Sequence, residues 1–162
     1  LITDEASAYQ ITSMLTGVVE RGTAGKAKKL GKIIAGKTGT TNDSLDTWFI
    51  GFTPRIVVGT YVGYDTPKTL GRTATGSSVA LPIFIHFMEN AYTDIPTLAF
   101  KVPESIRLVN IDQRTGLPMT NTGSITEAFK IHDIINELPD FPIEDNDVFH
   151  NLPTKDQSQE IY

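Results

Sequence analysis

Gly36-Lys37-Thr38-Gly39-Thr40-Thr41-Asn42-Asp43 gathers a lysine, hydroxyl residues and glycine into one polar block, and Ser44-Leu45-Asp46-Thr47-Trp48-Phe49-Ile50-Gly51-Phe52-Thr53-Pro54 carries it into an alternating strand pattern. Period-two alternation with β-branched and aromatic residues predicts strands. A lysine and hydroxyls on the first of them predict an edge strand that reads an anion. Working outward, residues 32–40, 47–53 and 56–64 read as three strands. The short turn at Pro54-Arg55 makes an antiparallel meander their simplest topology. Gly51, Gly59 and Gly63 interrupt the pattern, which predicts a bulge or the close approach of a helix lying on the sheet.

Upstream, Thr3 or Asp4 caps a helix whose core face is Ile11, Met14, Leu15, Val18 and Val19, and Gly22 ends it. Residues 22–31 form a basic loop. Downstream, Ser77 or Ser78 caps a second helix running through Tyr92, with Pro82 near its first turn. Leu81, Ile83, Phe84, Ile85, Phe87 and Met88 leave this helix little polar face, which predicts that it is largely buried. The expected fold class is α+β: a three-stranded antiparallel meander flanked by an N-terminal and a C-terminal helix, plus a small β-containing satellite. Residues 1–95 form the main unit. Residues 96–132 form the satellite, with one strand over 106–111 and a turn at Arg114-Thr115-Gly116, and residues 133–162 an acidic tail with little regular structure.

The 162 residues, 40% of them hydrophobic, are enough to bury roughly two thirds of the unfolded surface, as one domain with a small appendage does. The formal charge of −5 is uneven: Asp133 to Tyr162 holds eight acids and one lysine, leaving about +2 on the first 132 residues. Arg21, Lys26, Lys28, Lys29, Lys32 and Lys37 fall within seventeen positions free of acids. Such a run usually means a solvated basic loop rather than a nucleic-acid surface. With no cysteine, disulfides and thiolate chemistry are excluded. No apolar passage is long enough to span a bilayer. Leu1 opens almost directly onto a helix cap without an initiator Met, and the expectation is a piece cut between elements of a longer chain.

Gly31-Lys32-Ile33-Ile34-Ala35-Gly36-Lys37-Thr38 satisfies the phosphate-loop pattern G-x-x-x-x-G-K-S/T. That loop needs a strand before its first glycine and a helix starting at Lys-Thr, so that helix N–H groups face the phosphates. Here Ile-Ile-Ala is a strand core and a polar turn follows. Nucleotide binding is the weaker alternative.

The run Ala35-Gly36-Lys37-Thr38-Gly39-Thr40-Thr41-Asn42-Asp43, then Asp46-x-Trp48-Phe49-x-Gly51-x-Thr53-Pro54, resembles the transpeptidase domain of class A penicillin-binding proteins, the bifunctional peptidoglycan synthases. So do Gly17-Val18-Val19-Glu20-Arg21-Gly22-Thr23, Val62-Gly63-Tyr64-Asp65, Ala80-x-Pro82-Ile83 and Ile125-x-Glu127-Ala128-Phe129. The resemblance implies the C-terminal portion of a serine β-lactamase/transpeptidase-like fold. It also implies a serine acyl transferase acting on the D-alanyl-D-alanine end of peptidoglycan stem peptides and stalled by β-lactams. By match to the family box, Lys37 orients the serine of the second motif and shapes the field. Thr38 and Thr40 bind the terminal carboxylate, Gly39 lets substrate lie against the backbone, and the Thr40 N–H supplies half of the oxyanion hole.

The same resemblance exposes a gap. No serine in the chain is followed by Lys three positions later or by Asn two later, so the S-x-x-K and S-x-N boxes are expected before Leu1. A membrane anchor and a glycosyltransferase domain are expected there too, which would place the protein on the periplasmic face of the inner membrane. The chain alone is then expected to be inactive. A non-catalytic peptide- or partner-binding module is the alternative, and a hydrolytic relative such as a D,D-carboxypeptidase or β-lactamase ranks lower.

Asp46 and Trp48 read as turn and packing residues, and His86, His132 and His150 are assigned no role. No cofactor, metal or nucleic acid is called for. In the family an earlier strand pairs with the outer edge of residues 56–64, from Ile56 to Tyr64; that edge is expected to be bare here and open to self-association.

Overall fold

Asp4 starts the first helix, α1 (Glu5–Glu20), by accepting from the Ser7 backbone N–H at 2.8 Å and the Ser7 hydroxyl at 2.7 Å. These bonds, chiefly the backbone one, hold the Asp4 carboxyl down from an ordinary 3.8 to about 2, and Lys130 adds to the effect. A folded pKa below the unfolded one adds stability that is complete above pH 3.8 and is lost as pH falls through about 2. In Asp4→Asn the cap remains but cannot titrate, so its unfolding midpoint is expected to lose this part of the acid dependence. Identical acid titrations of the two proteins would refute the assignment.

The computed structural model describes residues 2–92, 95–119 and 123–132; the acidic tail expected over 133–162 lies outside the described residues. Strands β1 (Ala35–Thr40), β2 (Asp46–Phe52) and β3 (Val57–Gly63) form an antiparallel sheet in the order β1-β2-β3. Thr38 faces Phe49 and Thr40 faces Thr47, while Phe49 faces Thr60. The pleat therefore divides β2 cleanly. Thr47, Phe49 and Gly51 are buried on one face, and Trp48 and Ile50 stand exposed on the other.

Helix α2 (Leu81–Ala91) covers the buried face, where Phe84 meets Phe49 edge to face at 4.8 Å. Gly51 is a close-approach glycine, since a Cβ there would lie 2.8 Å from the Phe84 ring. Gly59 is not: its Cβ would meet only Ile50, at 3.9 Å. Sequence reading misplaced the start of α2. The cap is Thr75, whose hydroxyl accepts from the Ser78 N–H, and a π-helical turn over Gly76–Ala80 leads into the helix. The helix is also less buried than its composition predicts. Leu81, Phe84, Ile85 and Met88 enter the core, but Ile83, His86 and Phe87 are exposed.

The apolar stripe of α1 is a second correction. Ile11 and Met14 remain exposed, whereas Val19 is fully buried and Val18 packs on the core as the stripe predicts, and the helix also buries Ala6 and Gly17. These residues face β1 and a two-stranded unit, β4 (Ile106–Asp112) with β5 (Ser124–Lys130). The expected strand of the satellite is β4; β5 is a strand that composition did not signal. Gln10 donates to the Ala128 carbonyl at 3.0 Å, Arg21 pairs with Glu127 at 2.5 Å, and Ala6, Ile106 and Ala128 pack together. The expected turn forms as Asp112 accepts from the N–H groups of Arg114 and Thr115, with Gly116 at φ 72°.

The basic stretch is solvated as expected, with Arg21, Lys26, Lys28 and Lys29 exposed, but it is not a plain loop. Gly25–Leu30 is a 3₁₀ helix, Lys28 pairs with Glu20 and Lys29 with Glu89, and Lys32 donates to the Ile95 carbonyl beside the Tyr92 ring. Among the described residues no helix is long and apolar enough to cross a membrane.

Candidate active site

Lys37, Thr38, Gly39 and Thr40 lie in sequence along β1, the outer strand of its sheet. The ladder decides which backbone groups are free. The Thr41 N–H donates to the Asp46 carbonyl at 3.0 Å, and bonded and non-bonded pairs alternate in an antiparallel ladder. Gly39 and Lys37 therefore bond inward to Trp48 and Ile50. Thr38 and Thr40 turn their N–H and C=O toward the open edge, as an extended ligand laid alongside would require.

The side chains divide between the two faces. Lys37 and Gly39 share a face with Ile50 and Trp48, whereas Thr38 and Thr40 share one with Phe49 and Thr47. Lys37 nevertheless reaches the edge, because its ammonium donates to the Thr38 carbonyl at 3.1 Å. Thr40 Oγ1 accepts from the Gly76 N–H at 3.0 Å, which leaves its own proton free to donate. Thr38 Oγ1 lies 2.9 Å from Thr23 Oγ1, and the Ser77 hydroxyl donates to the Thr23 carbonyl at 2.7 Å. Gly76 must be glycine, since a Cβ there would lie 2.6 Å from the Gly39 carbonyl oxygen and would also strike the Trp48 oxygen.

On the open face Trp48 stacks at a tilt on Tyr61, 4.7 Å between centroids, and the Tyr61 hydroxyl donates to Asp46 at 2.7 Å. This hydrogen bond, with smaller effects of burial and of the Asp46 and Asp65 charges, raises the tyrosine above its ordinary range. Asp46 is not a turn residue but the first residue of β2, its N–H held by Thr41 Oγ1 at 2.8 Å and its carboxylate by Tyr61. Trp48 is not a core residue, being 43% exposed. The β1–β2 connection passes Asp43 and Ser44 through left-handed backbone, at φ 57° and 51°.

The four residues singled out in the sequence are thus brought together; Thr23, Gly76 and Ser77 were missed as neighbours. Thr23 sits in a quoted motif without any feature marking it as a contact of Thr38. The phosphate-loop geometry is not met, since Lys37 and Thr38 lie within a strand and only a three-residue 3₁₀ turn, Asn42–Ser44, follows it. A groove of about 630 Å³ between α1 and residues 100–105, walled by Tyr9, Phe100 and Pro103, shares no residue with the β1 wall.

A meander backed by a C-terminal helix, with a K-T-G-T edge strand at its rim, defines the C-terminal part of a fold of the serine β-lactamase/transpeptidase class. The family model described as the penicillin binding protein transpeptidase domain matches residues 1–89, and the chain belongs to that family. It is 66% identical over its whole length to penicillin-binding protein 1A of Rickettsia bellii, covering 21% of that relative. To the protein of the same name from Pseudomonas aeruginosa it is 44% identical, over 85% of this chain and 18% of that one. A crystal structure of penicillin-binding protein 1A from Haemophilus influenzae superposes with a TM-score of 0.71 at 34% identity, over 80% of this chain and 21% of that one. The chain spans about a fifth of the length of these relatives.

Proposed function

We propose that this chain forms one wall of the active centre of a serine-type peptidoglycan D,D-transpeptidase, completed by a nucleophilic serine from another part of the full-length protein. The observation that carries this is the open edge of β1: the N–H and C=O groups of Thr38 and Thr40 face outward beside the Lys37 ammonium. In the reaction the serine oxygen attacks the penultimate D-alanine carbonyl, the C–N bond breaks, and the last D-alanine leaves with the proton. An amine of a neighbouring stem peptide then attacks the ester, forming the cross-link and restoring the serine. Thr38 and Thr40 hold the terminal carboxylate, Gly39 lets the peptide lie close, and the Thr40 N–H stabilises the oxyanion. Lys37 supplies the fixed positive charge. β-Lactams acylate the same serine, and the full-length protein works at the periplasmic face of the inner membrane, held there by an N-terminal anchor.

The test is labelling with a fluorescent penicillin. A covalent band on the full-length protein, absent from this chain alone, is expected. No band on the full-length protein would instead favour a non-catalytic peptide-binding module.

The outer edge of β3 meets no further strand among the described residues, and Val57 and Tyr61 stand exposed near it. A bare edge recruits another strand, so the isolated chain is expected to self-associate through β3 in sedimentation experiments, and Val57→Lys to weaken this. A monomer at high concentration would exclude it.

A further inference from the structure

We propose that Thr23 is a positioning residue for the anion-binding hydroxyl of Thr38: it donates a hydrogen bond to Thr38 Oγ1 and so directs the Thr38 proton toward a bound carboxylate. This rests on the proposed role of the β1 wall. Thr23 and Thr38 are fifteen residues apart, yet their hydroxyl oxygens lie at 2.9 Å, a distance that requires one to donate to the other. When Thr38 donates to an anion its oxygen can only accept from Thr23, and a bond received on the oxygen strengthens the one its proton makes. The segment is fixed for this task from two sides. The Ser77 hydroxyl holds the Thr23 carbonyl at 2.7 Å, and the following Ala24 N–H returns to the Val18 carbonyl at the end of α1 at 3.1 Å. Both of the Thr23 bonds are local to the edge of β1 that Lys37 and Thr40 also reach. Thr23 makes no claim on the reacting atoms; it acts through Thr38.

The decisive experiment is a double-mutant cycle in the full-length protein, reading the second-order rate constant of acylation by a fluorescent penicillin, which carries a carboxylate. Misfolded protein lowers the labelled amplitude and leaves the rate constant of the remainder intact, so the two effects separate. Thr23→Val, which keeps the shape and removes the hydroxyl, is expected to slow acylation roughly three- to tenfold. Thr23→Ser is expected to stay within about twofold of wild type, and Thr23→Val placed on Thr38→Val to add less than about twofold. An equal loss from Thr23→Val with and without Thr38 would overturn the proposal, as would a Thr23→Ser protein as slow as Thr23→Val. A wild type that acylates normally in either case confines the failure to Thr23. A wild type that does not acylate at all would overturn the β1 wall itself, and this inference with it.

Discussion

Lys37→Ala in the full-length protein is expected to slow acylation by a fluorescent penicillin about 10²- to 10³-fold, the loss typical of removing one preorganised group that stabilises developing charge. Lys37 differs from most of its neighbours in the basic stretch, although Lys26 likewise forms no ion pair among the described residues. Arg21, Lys28 and Lys29 are paired with Glu127, Glu20 and Glu89, and Lys32 is tied to the Ile95 carbonyl. No acid among the described residues lies within ion-pair distance of Lys37, whose ammonium rests on the Thr38 carbonyl at the open edge. Its charge is therefore not neutralised by a neighbouring carboxylate. Because the side chain is exposed, the substitution is expected to leave the thermal midpoint within a degree or two, in keeping with the small effects of surface changes, about ±0.5 kcal/mol. An unchanged acylation rate would remove Lys37 from the mechanism.

The second large effect is on the layer that supports this wall. Phe84→Ala is expected to destabilise the protein by about 3–5 kcal/mol, read as a lowered urea midpoint. Phe84 is fully buried, meets the Phe49 ring at 4.8 Å and 69°, and fills the space above Gly51. Phe49 is on the same sheet face as Thr38 and Thr40, so a cavity at this contact also loosens the edge strand. Ile83→Ala, on the exposed side of the same helix, is expected to change stability by less than about 1 kcal/mol. Similar losses from both substitutions would mean that α2 does not pack through Phe84.

The meander was legible because alternation is a local property. Thr47, Phe49 and Gly51 on one side of the pleat and Trp48 and Ile50 on the other follow from period two alone, once a face must be buried. Helix α1 shows where this logic ends. Its periodic stripe is only partly buried, since Val19 enters the core and Val18 packs on it while Ile11 and Met14 stay exposed. The helix also buries Ala6 and Gly17 where it lies on β1 and β5. Small residues permit that close approach, and they carry almost no weight in a hydrophobic pattern. The cap of α2 was misplaced for a similar reason. Thr75, Ser77 and Ser78 are all competent caps, and only the π-helical turn selects Thr75. Strand β5 was missed because its pairing with β4 is set between segments too far apart in sequence for a local pattern to fix the register.

By itself the sequence determined the three strands of the meander and their order, the position of Lys37-Thr38-Gly39-Thr40 on a strand rather than in a phosphate loop, and the family to which these motifs belong. Each of these depends on residues within a few positions of one another, where side-chain period and turn chemistry act directly. Only the tertiary structure decided that Thr23 meets Thr38, that the Gly76 N–H meets Thr40, and that Ser77 ties the two segments together. These contacts join residues 15, 36 and 54 positions apart. They form when α1 and the start of α2 are brought onto one edge of the sheet, and no local pattern records that meeting because its energy comes from packing elsewhere, at Val19, Phe49 and Phe84.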